Sequence, residues 1–262
     1  MQDFRLHRPS NLSEATALLG DGAKLLAGGQ SLLPLMKLGL AAPSDVVVLA
    51  GVDELRGIRS EAGSLVVGAA TTHAEVAGSK TVVEAIPALA QLAAGIGDAQ
   101  VRNRGTLGGS IAHADPVADY PAAVLALDAR VVTDRREIAA DDFFQGLFET
   151  ALEEGEIIRE VRFPRTDAAG WAKFPNPASK FALVAVMVAR AAGSVRLAVT
   201  GAARVVFRVA EMERVLAARF AADAIAGIDV VRDDFLDEID ASAEYRAHLV
   251  SVMAQRAIAT CT

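Results

Sequence analysis

"AGGQSLLPLMKLGL" (residues 27–40) and "RNRGTLGGSIAHADPVADYP" (residues 102–121) carry the same device, two adjacent glycines with an apolar lead-in and a serine shortly after. Glycine loses the most backbone freedom on ordering, so pairs of it are kept where φ must be positive or where backbone must approach something closely. Neither stretch is G-x-x-x-x-G-K-[ST] or G-x-G-x-x-G, which leaves a P-loop and a Rossmann dinucleotide turn unsupported. Two readings remain. The pairs are ordinary turns, for which Gly-Gly is common material. Alternatively, they are two loops that present N–H groups and small hydroxyls to one anion, a nest that suits a diphosphate without any basic side chain.

The segments around them place the loops. "KLLAGG" is a short strand running into the first pair, and "DVVVLA" is an apolar strand buried on both faces. Ser13 is the expected N-cap of a helix through Leu19. "SLVVGAATT" is a further strand, and Thr72-x-x-Glu75 has the form of a capping box opening a helix. "PALAQLAAGI" reads as a helix with Pro87 in its first turn, and "DYPAAVLALDA" as a short one behind the second pair. "EIIREVRFP" is a strand, and "TDAAGWAKFPNPASK" (166–180) reads as a linker rich in small residues and proline. Three strand-like runs follow, "FALVAVMVAR", "SVRLAVTG" and "RVVFRV". A helix capped by Ser242 then closes the chain, with Tyr245, Leu249, Val252 and Met253 on one face. The expected organisation is α+β in three parts, residues 1–55, 56–165 and 166–262.

Composition excludes several classes. The 262 residues are 52% hydrophobic and 23% charged, as in a globular protein. With 33 acidic against 26 basic residues the net charge is −7, which gives nucleic-acid binding no support. The start "MQDFRLHRPS" lacks the basic-then-apolar layout of a signal, and no apolar run reaches the ~20 residues of a membrane span. A cytoplasmic protein is expected. Cys261 is the only cysteine. The chain therefore cannot supply the thiolates of an iron–sulfur cluster or a Cys-rich zinc site.

"AGGQSLLPLMKLGLAAP", "GAATTHAEV" and "IGDAQVRNRGTLGGSIAHADPVADYPAA", in that order, resemble the FAD-binding medium subunit of the molybdenum hydroxylases, the family of xanthine dehydrogenase and aerobic carbon monoxide dehydrogenase. The likeness extends through "EIIREVRFP" to "DASAEYRAHLVSVMAQRA". It implies a vanillyl-alcohol-oxidase (PCMH)-type FAD fold. In that fold two α/β subdomains hold the flavin between them, and a C-terminal domain of a three-stranded sheet and helices stands beside them. In such a fold both glycine pairs meet the FAD diphosphate. Carried over, Ala27, Gly28, Gly29, Gln30 and Ser31, followed by Leu32, form one grip. Thr106, Leu107, Gly108, Gly109 and Ser110, with Ala112 behind them, form the other.

The resemblance assigns Asp119 to the ribityl or ribose hydroxyls, which a carboxylate accepts well. It sets Ile157 and Ile158 against the isoalloxazine ring. Phe181 falls where carbon monoxide dehydrogenase-like members tend to carry a tyrosine over a flavin face, so stacking survives there and a hydroxyl bond does not. Otherwise these are core and strand residues. Lys37 either places a charge near the flavin or snorkels to solvent. Arg102 and Arg104 orient the second loop, face a partner or are solvated. His113 and Asp115 either join Asp119 at the flavin's hydroxyls, as the resemblance implies, or are hydrogen-bonded within their loop; a metal site is not expected there.

The family's division of labour puts molybdopterin on a large subunit and two [2Fe–2S] clusters on a small one, in a dimer of heterotrimers. Electrons leave through this subunit's FAD to a quinone, NAD, oxygen or another acceptor. A stand-alone FAD-dependent reductase of the same fold, or a flavin-free structural subunit, is the competing expectation.

Overall fold

The computed structural model describes residues 2–262. Its first part contains β1 (Arg5–His7), α1 (Leu12–Ala17), β2 (Ala23–Leu26), α2 (Leu32–Lys37) and β3 (Asp45–Val48). The three strands form a parallel sheet in the order β1-β3-β2. Parallel pairing needs crossovers, and α1 and α2 supply them. Asp45, at the start of the central strand, fastens the edge strand. It takes Arg5 at 2.8 Å and His7 at 2.7 Å, and these bonds hold its carboxyl well below the usual range. The cap of α1 is Asn11, not Ser13: the Asn11 side-chain Oδ1 accepts the Glu14 N–H at 2.9 Å. The Glu14 carboxylate reaches back to the N–H and hydroxyl of Ser10, and the helix starts two residues before the expected position.

The second part runs through β4 (Ile58–Glu61), β5 (Ser64–Gly68), α3 (His73–Gly78), α4 (Lys80–Ala85), α5 (Pro87–Ala94), α6 (Ala99–Arg102), α7 (Leu107–His113) and α8 (Tyr120–Ala126). It continues with β6 (Arg130–Thr133), β7 (Glu137–Ala139), α9 (Ala140–Phe143), β8 (Phe144–Gly146), β9 (Glu149–Thr150) and β10 (Ile158–Pro164). Its antiparallel sheet has the order β4-β5-β10-β6-β7, with β8 and β9 as a separate hairpin. The capping box at Thr72 is present: its hydroxyl accepts the Glu75 N–H at 3.2 Å and the Glu75 carboxylate accepts the Thr72 N–H at 2.7 Å. Pro87 opens α5, as expected.

The third part is a four-stranded antiparallel sheet, β11 (Ala168–Pro175), β12 (Ala182–Ala191), β13 (Ser194–Thr200) and β14 (Phe207–Arg208), with α10 (Ala210–Ala218) and α11 (Ala243–Ala259). This corrects two expectations. The 166–180 stretch is not a linker but contains the eight-residue strand β11, and the sheet has four strands rather than three. The small residues that suggested a linker permit close packing: a Cβ at Gly170 would overlap the Ala257 carbonyl of α11. Trp171 beside it is buried.

Strand β12 explains its own composition. Val184, Val186 and Val188 enter the core under α11, whereas Ala185, Met187 and Ala189 enter the core of the second part. Alternate residues point to opposite faces, so a strand covered on both sides reads as a continuous apolar run. Ser242 caps α11 as expected, and Leu249 and Met253 are buried, but Tyr245 is exposed. The position the apolar pattern missed is Arg246, only 1% exposed.

Candidate cofactor-binding site

The two glycine loops touch. Strand β2 ends at Leu26, and the chain turns through Gly29 at φ +75° into α2. The second loop is the N-terminus of α7, with Thr106 as its cap; the Thr106 hydroxyl accepts the Gly109 N–H at 3.1 Å. Gly28 packs directly on the approach to this helix, because a Cβ there would lie 2.6 Å from the Gly105 Cα and closer still to the Arg104 carbonyl. The first glycine pair thus lets the two lobes meet.

A cleft of about 1410 Å³ opens between the lobes and reaches the third part. That exceeds the ~300–1,000 Å³ typical of drug-sized ligands and suits a dinucleotide. The walls are unequal in their free amides. Among the described residues, the N–H groups of Gly28, Gly29, Gln30, Ser31 and Leu32 donate to no acceptor of the chain. All five residues line the cleft, with Ala27. Such a run of unpaired amides is an anion cradle.

The opposite wall does not repeat it. Leu107 N–H donates to Thr71, Gly108 to Ala69, Gly109 to the Thr106 hydroxyl and Ser110 to the Thr106 carbonyl. This wall presents surface, hydroxyls and the single spare amide of Thr106, and both glycines have spatial reasons to be there. A Cβ at Gly108 would overlap Ala69, while one at Gly109 would lie 2.9 Å from the Thr106 hydroxyl. Thr106, Gly108, Gly109, Ser110 and Ala112 line the cleft.

Two expected contacts do not reach it. Leu107 is fully buried in the core of the second part. Lys37 is exposed in the last turn of α2 and is not among the lining residues, because the helix carries it outward.

Asp119 lines the cleft, and its setting was not foreseen. It is 4% exposed, and its Oδ2 lies 2.6 Å from the Lys173 ammonium on β11, while Oδ1 has no partner. Burial pushes the carboxyl up, to about 6, against the opposing pull of Lys173. Lys173 also reaches the Gly95 carbonyl, so one side chain ties the third part to the second. Sequence reading missed Lys173 because it lay in the supposed linker; its place on β11 is a tertiary fact. His73 was missed too. It lines the cleft beside Gly105, with its Nδ1 unpartnered and its ring 5.3 Å from that of Tyr120. Burial, with the nearby Arg102 charge, lowers its pKa to about 4, so the imidazole is neutral.

Ile157 and Ile158 are buried, and both line the cleft at the start of β10. Phe181 lines it as well, but the side chain is 48% exposed, so it stands just before β12 rather than inside it. His113 and Asp115 also line the cleft; His113 lies against Phe148, and Asp115 accepts the Val117 N–H. Arg102 orients its loop by donating to the Ile96 and Gly97 carbonyls, and Arg104 is exposed. Among the described residues there is no group of three or more His, Cys, Asp or Glu able to hold a metal ion. No described helix is long and apolar enough to cross a membrane.

Two lobes closing on an interlobe cleft, with free amides on one wall and an unpartnered buried carboxylate oxygen further along, define a protein built to hold a nucleotide cofactor. Residues 2–166 match the family described as the FAD binding domain in molybdopterin dehydrogenase. The carbon monoxide dehydrogenase medium chain of Hydrogenophaga pseudoflava is 37% identical over 97% of this chain and 96% of its own length. The nicotine 6-hydroxylase medium subunit of Paenarthrobacter nicotinovorans is 36% identical over 97% and 96%. Among solved structures, the reconstituted CO dehydrogenase from Oligotropha carboxidovorans superposes with a TM-score of 0.89 at 32% identity, covering 99% of each chain. The chain belongs to the FAD-binding medium subunits of the molybdenum hydroxylases.

Proposed function

We propose that the chain binds one FAD non-covalently in the interlobe cleft and is the electron-exit subunit of a molybdenum hydroxylase. In this reading residues 1–55 and 56–165 are the FAD-binding subdomains and 166–262 the C-terminal domain. The observation that carries it is the run of five unpaired amides from Gly28 to Leu32, which faces a cleft large enough for a dinucleotide. FAD, when bound, accepts two electrons and can release them singly or as a pair, which joins one-electron carriers to a terminal acceptor.

The chain's residues supply position and surroundings. The amides of Gly28 to Leu32 hold the diphosphate, with the Ser31 and Ser110 hydroxyls beside them. The bare surface at Gly109 allows backbone to approach from the second lobe. Asp119 Oδ1 accepts a ligand hydroxyl, while Lys173 keeps the carboxylate in place. Ile157 and Ile158 form an apolar wall that excludes water, and Phe181 offers a ring to stack against without a hydroxyl to donate.

The single cysteine leaves the [2Fe–2S] clusters to a partner chain, the small subunit in this reading, with molybdopterin on a large one. The medium-chain relatives support that division. The assembly is a dimer of heterotrimers in the cytoplasm, and the terminal acceptor is a quinone, NAD or oxygen. Purification of the tagged chain from its native host tests this. A brown complex containing molybdenum, iron and FAD in company with two further chains is the expected result. A yellow or colourless chain running alone, without molybdenum, would overturn the subunit reading.

A further inference from the structure

We infer that Thr200 is a positioning residue for the cofactor, acting through the 116–118 loop that delivers Asp119 to the cleft. This rests on the FAD reading above. Thr200 ends β13 and is 1% exposed. Its hydroxyl lies 2.9 Å from the Pro116 carbonyl and 2.7 Å from the Ala118 carbonyl. Gly201 N–H donates to Pro116 at 2.8 Å, and Ala182 N–H to Val117 at 3.4 Å. All three carbonyls of the loop are therefore held by the C-terminal sheet, although the loop belongs to the second part.

Within its own part the loop has Asp115 alone to shape it, through bonds from the Val117 and Ala118 N–H groups. Asp119 follows immediately and is held by Lys173, again from the C-terminal sheet. The far end of the grip is rigid. Arg246, fully buried, donates to the Leu183 and Gly201 carbonyls at 2.8 Å each and pairs with Glu238. The two strand ends that grasp the loop are thus clamped to each other behind it. Phe181 adjoins the same strand end, so one clamp sets two walls of the cleft.

The Ala118 carbonyl is the sensitive point. Among the described residues it accepts only from Thr200. Thr200→Val keeps the shape and leaves that carbonyl unpaired, which the loop relieves by moving. The expected outcome, by flavin-fluorescence titration of the full chain, is a Kd for FAD raised about tenfold. Thr200→Ser should bind within twofold of the unmodified chain.

A role confined to folding would add to the effect of losing Asp119, whereas action through Asp119 would not. Adding Thr200→Val to Asp119→Ala should therefore change Kd no further. Full additivity, or a Thr200→Val chain with unaltered Kd, overturns the inference. If the valine variant does not fold, hydrogen exchange of the unmodified chain decides. FAD should protect the Ala182 and Gly201 amides together with residues 27–32, and protection confined to 27–32 overturns the inference. An unmodified chain that takes up no FAD overturns both this inference and the function on which it rests.

Discussion

Gly28→Ala is the smallest change that should separate the two lobes at the cofactor cleft. The added methyl would sit 2.6 Å from the Gly105 Cα, whereas ordinary contact begins at 3.4 Å. The loops must therefore part by more than about 0.8 Å, since the Arg104 carbonyl is nearer still, and both contacted groups are backbone, with no side chain to swing aside. The amides of residues 28–32 and the surface at Gly109 would move apart together. Misplacement by about 1 Å in a preorganised site is worth up to ~100-fold. Kd for FAD should accordingly rise roughly 10- to 100-fold, a loss of ~1.4 to ~2.8 kcal/mol. The assay is equilibrium titration of the full chain, with flavin fluorescence as the signal and circular dichroism to show that the fold persists. Gly78→Ala is the control, since nothing lies within 4 Å of a Cβ there. A folded Gly28→Ala chain that binds FAD within twofold of the control would refute the reasoning.

Gly109→Val brings a branched side chain against the Thr106 hydroxyl, 2.9 Å from its Cβ, and into the cleft; flavin occupancy after gel filtration should fall well below that of the unmodified chain. Asp119 is raised in the folded chain to about 6, so its contribution to stability is fully present below about pH 4 and is lost as pH rises through about 6. Across that window, denaturant unfolding should show the stability of the unmodified chain relative to Asp119→Asn falling by about 3 kcal/mol. Glu156 has the opposite sign. The Arg136 hydrogen bonds, with a backbone N–H and the Thr133 hydroxyl, hold its carboxyl down to about 2, so its contribution is present above about pH 4 and lost as pH falls through about 2. Arg136→Met should lower stability at neutral pH and flatten the acid limb of a pH–melting curve, because it leaves the buried Glu156 carboxylate without its main partner.

Much of the fold was legible because its cues are local. The capping box at Thr72–Glu75, Pro87 at the first turn of α5, and Ser242 before α11 are each settled within four residues. The glycine pairs announced two loops, and the structure brings them into contact. What local patterns could not show was who pairs with whom. Gly170 and the small residues around it resembled a linker because the helix that needs their smallness, α11, lies some 85 residues later in sequence. Lys173 became a cleft residue only when β11 joined the sheet beside Asp119. The two glycine pairs read alike, but the second pair's N–H groups are taken by the Ala69 carbonyl and the Thr106 hydroxyl, while the first pair's are left free. That distinction depends on Thr71, Ala69 and Thr106, which no motif spacing reveals.

The central claim, that this cleft holds FAD, is tested most directly by titrating the cofactor-free full chain with FAD. Saturation at one FAD per chain is expected, with all yellow colour released to the supernatant by acid precipitation. A chain that stays colourless at saturating FAD, while circular dichroism shows it folded, would contradict it.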